Sequence, residues 1–208
     1  MQIKSDRRTH QERTEFTRAA LIAAARRLFT ENGYAKTGTP EIVEAANVTR
    51  GAMYHHFVDK ADVFLAVAKQ CAQEVADSID AGSRDSRSPL DALMQGAQCY
   101  FAAMAQGGRA RLLLLEAPSV LNVEQRLQIT ELTGEAQLQQ GLSDALPAAA
   151  HIALPQLASL VSAAFDHAAL AIAMGASPEK YQTAMHFLLS QLIRPPVEIK
   201  TSKTKPRM

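Results

Sequence analysis

The chain of 208 residues lacks tryptophan and has few residues that interrupt helices, with 10 glycines and 9 prolines. Its two cysteines, Cys71 and Cys99, are too few for a disulfide framework and lack the spacing of a metal site. No apolar run reaches the roughly 20 residues that a membrane-spanning helix requires. The first residues are polar and charged, unlike a secretory signal. These absences predict a cytoplasmic protein with no membrane partner, no metal and no cofactor, in which both cysteines pack as small apolar residues.

Segments that alternate apolar and polar residues and are rich in Val, Ile and Thr, which mark β-strands, are also missing. Alanine, by contrast, occupies 37 of the 208 positions, and it loses no side-chain entropy in a helix. The sequence therefore predicts an all-α protein of about nine helices. We expect an N-terminal three-helix domain over residues 1–58, a larger helical domain over 59–194, and a basic disordered tail over 195–208.

The net charge of +1 conceals an uneven distribution along the chain. Residues 1–60 hold 10 Lys and Arg against 7 Asp and Glu, residues 61–194 hold 8 against 13, and residues 195–208 hold 4 against 1. The first segment and the tail are basic, and the long middle segment is acidic. A polyanionic partner would attract the first segment and repel the middle one, so this distribution suits a partner such as a nucleic acid.

Apolar periodicity and capping residues predict three short helices at the N-terminus, the first over residues 14–32. Thr39 is the expected N-cap of the second helix, with Pro40 in its first turn. Asn47 tolerates the left-handed conformation of a sharp turn, and Thr49 is the expected N-cap of the third helix. A helix, a tight turn and a helix in this order form the helix-turn-helix arrangement, whose second helix lies in the DNA major groove.

Hydrogen-bond donors are concentrated on the third helix and its flanks, where few residues are negative. Such donors bind phosphate oxygens, as helix N-termini also do. The donors are Thr37, Thr39, Thr49, Arg50, Tyr54, His55, His56 and Lys60. Arg26 and Arg27, on the first helix, are expected to lie on a solvated face.

Two stretches resemble TetR-type regulators of the TetR/AcrR family. The stretch from Leu21 to Tyr34 is similar to their first helix, and the stretch from Glu41 to Phe57, followed by Asp59-Lys60, is similar to their helix-turn-helix and the start of their fourth helix. Two positions depart from the common pattern, Asn47 where a turn glycine is usual and Val43 where alanine is usual.

The resemblance implies roles for the matching residues. Thr49, Arg50, Gly51 and Ala52 begin the recognition helix, where side chains or bare backbone approach base edges. Arg50 is the residue among them that can make a bidentate contact to guanine, with about 1–3 kcal/mol of discrimination. The implied phosphate contacts are Thr37, Thr39, Tyr54, His55 and Lys60. For His56, contact with DNA and a structural role remain equal alternatives.

The second half of the chain contains no catalytic constellation, so we expect no enzyme activity. Its apolar excess indicates either a filled core or, as in family members that sense small molecules, a cavity for a small apolar or amphipathic ligand. The candidate ligand-binding residues are Met94, Phe101, Met104, Leu113, Glu116, Phe165 and His167. Packing in the core is the alternative for both methionines and for His167, and Asp166 is expected to be solvated.

The last two predicted helices are joined by residues 175–178 alone, so they should pack antiparallel. The resemblance implies that they form a four-helix bundle with their copies in a second subunit, in agreement with palindromic operators. The candidate interface residues are Leu160, Ala164, Ala168, Met185, Leu188 and Leu192. The predicted function is therefore that of a homodimeric repressor that binds double-stranded DNA at a palindromic operator and is released by a ligand. The alternative is a DNA-binding regulator without a pocket, controlled by a protein partner or constitutive.

Overall fold

The computed structural model describes residues 10–84, 86–147 and 153–193. Over these ranges the chain is all-α, as predicted, with ten α-helices against the expected nine or so. They are α1 (His10–Asn32), α2 (Thr39–Ala45), α3 (Arg50–His56), α4 (Lys60–Ser83), α5 (Pro89–Met104), α6 (Ala117–Val120), α7 (Val123–Leu132), α8 (Glu135–Ala145), α9 (Leu154–Ala173) and α10 (Pro178–Ile193). A π-helical segment, Arg111–Glu116, precedes α6. The tail predicted over residues 195–208 lies outside the described residues.

We call α1–α3 the head and α4–α10 the body. Three predictions for the head are confirmed or corrected by its local hydrogen bonds. Asn47 has a φ of 52° and turns the chain between α2 and α3, as expected. The Thr49 side chain accepts the N–H of Ala52 at 3.1 Å and caps α3. The prediction for α2 is wrong by one residue, because Gly38 holds the N-cap position and Thr39 is the first helical residue.

The helix α4 begins with a pair of reciprocal caps and then becomes the central helix of the body. Asp59 accepts the N–H of Asp62 at 2.8 Å, and the Asp62 carboxylate accepts the N–H of Val58 at 3.1 Å. Its apolar stripe is fully buried, and Cys71 lies in it as a packing residue. Cys99 is half-buried, on α5. Because α4 packs against both α1 and α5, the head and the body share one continuous core.

The helix predicted from residue 122 to about 146 is two helices, α7 and α8, with a sharp break at Gly134. Gly134 has a φ of +94°, and a Cβ there would lie 2.8 Å from Cδ1 of Ile79 on α4. A side chain at this position would therefore be strained in its backbone and would collide with the core. The break coincides with a left-handed glycine, a residue that commonly ends helices, and the apolar period of the segment does not register it.

The helix α9 leaves much of its apolar surface uncovered in the single chain. By length and composition alone, its 20 residues are long and apolar enough to cross a membrane, which differs from the expectation drawn from the sequence. Only 28% of its most apolar stretch is buried. Leu160 and Met174 are 71% and 79% exposed, and on α10 Phe187 is 65% exposed. Large exposed apolar faces of this kind mark surfaces that contact a partner.

An ion triad fastens α1 to α4 and to the segment after α5. Arg26 donates two hydrogen bonds to the Glu74 carboxylate, at 2.6 and 2.8 Å. Arg109 donates to the same carboxylate at 2.7 and 3.0 Å. Hydrogen bonds from Arg26, together with those from Arg109, lower the pKa of Glu74 against the opposing effect of burial. The expectation that Arg26 lies on a solvated face is therefore wrong, whereas Arg27 is exposed as expected.

Replacing Glu74 by glutamine is expected to lower the free energy of unfolding by about 1–3 kcal/mol at pH 7, because two guanidinium groups lose their charged acceptor. The folded pKa of Glu74 is lowered, so its stabilisation is complete above the ordinary value of 4.5 and is lost as the pH falls through the folded value. Thermal unfolding of the two proteins from pH 7 to pH 3 should therefore converge at the acid end.

The control for this measurement is Glu131→Gln, which changes an exposed carboxylate on α7 in the same way. It should unfold like the wild-type protein at every pH. A Glu74→Gln deficit that persists unchanged to pH 3 would show that the carboxylate charge does not hold the triad together.

Candidate functional site

The third helix presents its first and second turns to solvent. Thr49, Arg50, Gly51, Tyr54 and His55 are exposed, while Ala52 is half-buried and Met53 faces the core. The Thr49 oxygen accepts the helix N–H, which leaves its hydroxyl hydrogen free to donate outward. Bare backbone is accessible at Gly51, where a Cβ would have only Thr49 Oγ1 nearby, at 4.0 Å. The structure thus brings five of the predicted contact residues onto one exposed face.

Arg50 and Tyr54 form a unit on this face. The Arg50 guanidinium lies 5.5 Å from the centroid of the Tyr54 ring, within the range of a cation–π contact. The nearby side chains of Arg50 and then Thr39 lower the pKa of the Tyr54 hydroxyl. Stacking on Tyr54 restricts the rotamers of Arg50, so less entropy is lost when the guanidinium binds a planar acceptor. Thr39 joins this cluster although it does not cap α2.

The prediction that Thr37 contacts phosphate is wrong for this structure. Its side chain is 2% exposed, and its hydroxyl donates to the carbonyls of Gly33 and Leu28 at 2.9 and 3.2 Å. These bonds tie the α1–α2 connection back to the end of α1 and to the glycine that follows it. Thr37 therefore stabilises the connection between α1 and α2 from a buried position.

Lys60 is also placed differently from the free cation that the resemblance implied. Its Nζ donates to the carbonyls of Thr37 and Tyr34 at 2.9 and 3.0 Å and lies 4.0 Å from the centroid of the Tyr34 ring. Two of its three donors are committed to the backbone. Lys60 fastens the α1–α2 connection to the first turn of α4, and a phosphate contact remains a prediction for its third donor alone.

Two basic residues at the edge of this surface were missed by the sequence analysis. The guanidinium of Arg18, on α1, lies 5.3 Å from the centroid of the Phe57 ring, next to the end of α3. Lys36 is exposed in the connection between α1 and α2. Burial, followed by the nearby His55 and Arg18, lowers the pKa of His56 and favours its neutral form. No motif marks Arg18, because its position depends on how α1 crosses α3.

The end of α1 is bound to the body by Glu116. The N–H of Tyr34 donates to Glu116 Oε2 at 2.7 Å, and Arg111 donates to Oε1 at 3.1 Å. Gly33 has a φ of +82°, a left-handed conformation that residues with a side chain rarely adopt, and a Cβ there would also displace the Arg111 guanidinium. The prediction that Glu116 meets a ligand is wrong, because its carboxylate is occupied by the head.

The first of two cavities in the body lies between α4, α5, α8 and α9, and we call it the Tyr100 cavity. Its volume is about 120 Å³, with Ile79, Leu93 and Phe165 on its apolar walls. Its polar end is formed by Tyr100, whose hydroxyl donates to Asp166 at 2.6 Å. Burial raises the pKa of both groups, and in Tyr100 the Asp166 charge adds to that rise. Asp166 is therefore not the solvated residue that we expected.

The second cavity, which we call the Arg126 cavity, has a volume of about 400 Å³. It is lined by Leu113, Leu114, Ala117, Pro118, Val123, Arg126, Leu127, Ile129, Thr130, Asp166, His167 and Leu170. His167 is exposed at its edge, with its ring 6.4 Å from that of Tyr181, so the core alternative for His167 is wrong. Asp166 lies on the walls of both cavities.

The other predicted ligand residues are divided among different environments. Phe165 lines the Tyr100 cavity and Leu113 lines the Arg126 cavity, in agreement with their prediction as lining residues. Phe101 and Met104 are 4% and 2% exposed and belong to the core, so their prediction is wrong. Met94 is half-buried against the core and lines neither cavity.

The predicted interface residues also differ in exposure. Leu160 and Leu188 are 71% and 39% exposed, and Ala164 and Leu192 are half-buried. Ala168 and Met185 are 3% and 6% exposed, so their prediction as interface residues is wrong, since they pack inside the single chain. Both faces of α9 and α10 are apolar, and apolar periodicity therefore does not distinguish the inner face from the outer one.

Replacing Lys60 by methionine is expected to lower the free energy of unfolding by about 1–3 kcal/mol, because two carbonyls lose a charged donor. Lys36→Met is the matched control: it removes the same charge from the same region, at an exposed side chain. Thermal unfolding should separate the two variants, with Lys36→Met close to the wild-type protein. Equal melting temperatures for the two would contradict the structural role of Lys60.

Comparison with known proteins relates the head to a protein family. Residues 21–67 match the family model described as bacterial regulatory proteins, tetR family. Over 61 residues the chain is 48% identical to the HTH-type transcriptional regulator AcrR of Shigella flexneri. That match covers 29% of this chain and spans 28% of the length of AcrR, and it falls far short of the whole relative.

Solved structures extend the likeness across the fold. A TetR-family transcriptional regulator from Pectobacterium atrosepticum is 28% identical, with a TM-score of 0.66 over 90% of this chain and 96% of that one. The transcriptional regulator FadR of Bacillus subtilis, solved in complex with stearoyl-CoA, has the same fold, with 18% identity and a TM-score of 0.68 over 82% of this chain and 96% of that one. The head segment therefore matches the N-terminal domain of the tetR family of bacterial regulatory proteins, and the chain as a whole has the fold of solved TetR-family regulators.

Proposed function

We propose that the protein is a cytoplasmic, homodimeric transcriptional repressor that binds a palindromic DNA operator and is released from it by a small amphipathic ligand. The observation that carries the DNA-binding part is the exposed donor face of α3, which lies inside the family segment of residues 21–67. Arg50 reads base edges in the major groove, and Thr49, Thr39, Tyr54 and His55 contact phosphates on either side. The boundary between head and body at residues 58 and 59 remains part of this proposal.

Arg50 is the residue on this face whose planar guanidinium can donate two hydrogen bonds to one guanine. The contact between its guanidinium and the Tyr54 ring holds the guanidinium at the start of the recognition helix. The Lys60 and Thr37 side chains support this arrangement from within the head rather than from the DNA side. Arg18 and Lys36 add positive charge at the edges of the surface, where nonspecific attraction to phosphate is gained.

Dimerisation is supported by the uncovered apolar face of α9 and α10. Leu160, Met174, Phe187 and Leu188 are exposed there and are separated in sequence by spacings that keep them on the outer sides of an antiparallel helix pair. A two-fold partner would cover this face and would set two recognition helices about 34 Å apart, the spacing of successive major grooves.

Ligand control is supported by the two cavities of the body, which favour a sensing protein over one with a filled core. The fold neighbour FadR of Bacillus subtilis was solved with stearoyl-CoA, an amphipathic molecule. Ligand binding would favour a dimer whose recognition helices no longer match successive grooves, and release follows from the difference in affinity between the two states. A regulator controlled by a protein partner instead would show no ligand-dependent change in DNA affinity.

Replacing Arg50 by alanine is expected to weaken operator binding about 10- to 100-fold and to remove the preference for one base in each half-site. The operator is first selected from random duplex DNA by the wild-type protein, and Kd is then measured by fluorescence anisotropy on operator and scrambled DNA. Arg27→Ala, at an exposed arginine of α1, is the control with the same charge change. It should weaken binding to both DNAs slightly and equally.

Failure of the wild-type protein to select any sequence, or to bind DNA at low salt, would contradict the proposed function. An equal loss of affinity for operator and scrambled DNA in Arg50→Ala would contradict the base-reading role while leaving DNA binding intact.

Replacing Phe187 by glutamate is expected to convert the dimer into a monomer, because a charge would be buried in an apolar interface. Sedimentation velocity measures the change directly. Val58→Glu, which alters an 82% exposed side chain of the head, serves as the control and should leave the mass unchanged. A wild-type protein that sediments as a monomer at micromolar concentration would overturn the proposed dimer.

A further inference from the structure

The lining of the Arg126 cavity indicates which chemical class of ligand would control the protein. Its position indicates how ligand binding would affect the head. We propose that this cavity is the effector site, that it binds an amphipathic acid whose carboxylate pairs with Arg126, and that occupancy breaks the hydrogen bond between Glu116 and Tyr34. The step to DNA release rests on the proposed function. Binding of the acid does not, so the two are tested separately.

The size and walls of the Arg126 cavity suit an alkyl chain. Its volume of about 400 Å³ exceeds the 120 Å³ of the Tyr100 cavity more than threefold. Leu113, Ile129 and Leu170 form apolar walls from the π-helical segment, α7 and α9. Val123 and Leu127 line the same cavity and are 63% and 58% exposed, so its rim is also apolar. An alkyl chain would remove this apolar surface from water.

Arg126 supplies the group that distinguishes an acid from other amphipathic molecules. Its side chain lines the cavity and forms no ion pair with a carboxylate of the described residues. Its Nε is buried and has no hydrogen-bond partner among those residues, so the donors of this guanidinium are not all satisfied within the chain. A carboxylate matches the guanidinium fork in both geometry and charge.

Asp166 is the acceptor of the cavity, and it does not serve Arg126. Its carboxyl accepts the Tyr100 hydroxyl at 2.6 Å, and no ion pair joins it to Arg126 in the part of the chain that the structure describes. Burial raises the pKa of Asp166 against the opposing effect of the Tyr100 hydrogen bond. An acidic ligand would pair with the Arg126 guanidinium, which no carboxylate of the described residues occupies.

The wall of the cavity is continuous with the residue that holds the head. Leu113, Leu114 and Ala117 line the cavity, and Glu116 lies between them in the π-helical segment and its junction with α6. Glu116 accepts the Tyr34 N–H at 2.7 Å. Because π-helical segments carry one residue more per turn than an α-helix, a ligand that presses on Leu113 can shift the register of the segment and withdraw Glu116.

The Tyr100 cavity has no comparable route to the head. Its contacts with α4 are Ile79 and Ser83, near the far end of the helix that starts at Lys60. At 1.5 Å per residue, Ile79 lies roughly 28 Å along the axis from Lys60. The Arg126 cavity, by contrast, is lined by Leu114 and Ala117, which flank in sequence the Glu116 that accepts the Tyr34 N–H.

Binding is tested by isothermal titration of the full chain with decanoate, decan-1-ol and decylammonium, which share an alkyl chain and differ in the head group. We expect decanoate to bind at least about 10-fold more tightly than the other two, the range of one charged hydrogen-bonded pair. In Arg126→Leu this preference should fall to about 2-fold or less, with decan-1-ol binding unchanged. If Arg126→Leu does not fold, Arg126→Lys replaces it and should lose most of the preference with the bidentate geometry.

The matched control is Gly96→Ala in the Tyr100 cavity, where a Cβ would meet Ile79 Cγ2 at an ordinary 3.5 Å. It narrows that cavity and should leave decanoate binding unchanged. Absence of decanoate binding, equal binding of the three probes, a preference that survives loss of the Arg126 guanidinium, or loss of binding in Gly96→Ala alone would each overturn the assignment.

Coupling is tested with Glu116→Ala, Glu116 being a positioning residue. Decanoate should weaken operator binding of the wild-type protein at least about 10-fold, within the usual range of coupling between sites. In Glu116→Ala the bond that occupancy breaks is already absent, so decanoate should bind at least as tightly as it binds the wild type, while its effect on DNA falls to about 2-fold or less. Glu131→Ala, at an exposed residue of α7, should behave as the wild type does.

The outcomes separate the inference from the proposed function. If the wild-type protein binds decanoate with the expected selectivity but no DNA, the proposed function fails and the acid site stands. If it binds DNA and decanoate and the acid does not release the DNA, or Glu116→Ala responds as the wild type does, the coupling through Tyr34 is overturned.

Discussion

Tyr34 holds the connection between α1 and α2 to the body, beside the ion triad and the shared core. Its N–H is bound by the Glu116 carboxylate and its carbonyl by the Lys60 ammonium, so both backbone polar groups of this residue meet a charged partner. Its ring packs against Phe29 and Phe64, with centroids 5.6 and 5.3 Å away. The position of α2 and α3 relative to α4 depends on this residue, because the connection that carries them starts here.

Local hydrogen bonds explain why much of the fold follows from the sequence. The caps at Thr49 and Asp59 and the left-handed turn at Asn47 are formed by residues within four positions of one another, so residue type and spacing are enough to predict them. The apolar stripe of α4 is predictable for the same reason, since its period is the period of the helix. The break at Gly134 was missed because the apolar period continues across it, although a left-handed glycine is a local signal that ends a helix.

Among the residues of the candidate site, too, local patterns predict some positions and not others. The exposed donors of α3 follow from the helical period and the family pattern, whereas the roles of Thr37 and Lys60 depend on carbonyls in a connection whose path no local pattern fixes. In the body, apolar periodicity marks Phe101 and Phe165 alike, yet one fills the core and the other lines a cavity. Whether an apolar residue borders a space depends on how several helices cross, and that is a property of the packed molecule.

The polar links at the Tyr34 junction join two different parts of the chain. Tyr34 and Lys60 lie within residues 21–67, which match the family model, while Glu116 lies outside that segment. The ion triad on Glu74 and the continuous apolar core join head and body as well. A head exchanged for that of another protein would therefore have to match several body residues at once, so the head and the body of this chain are constrained to change together.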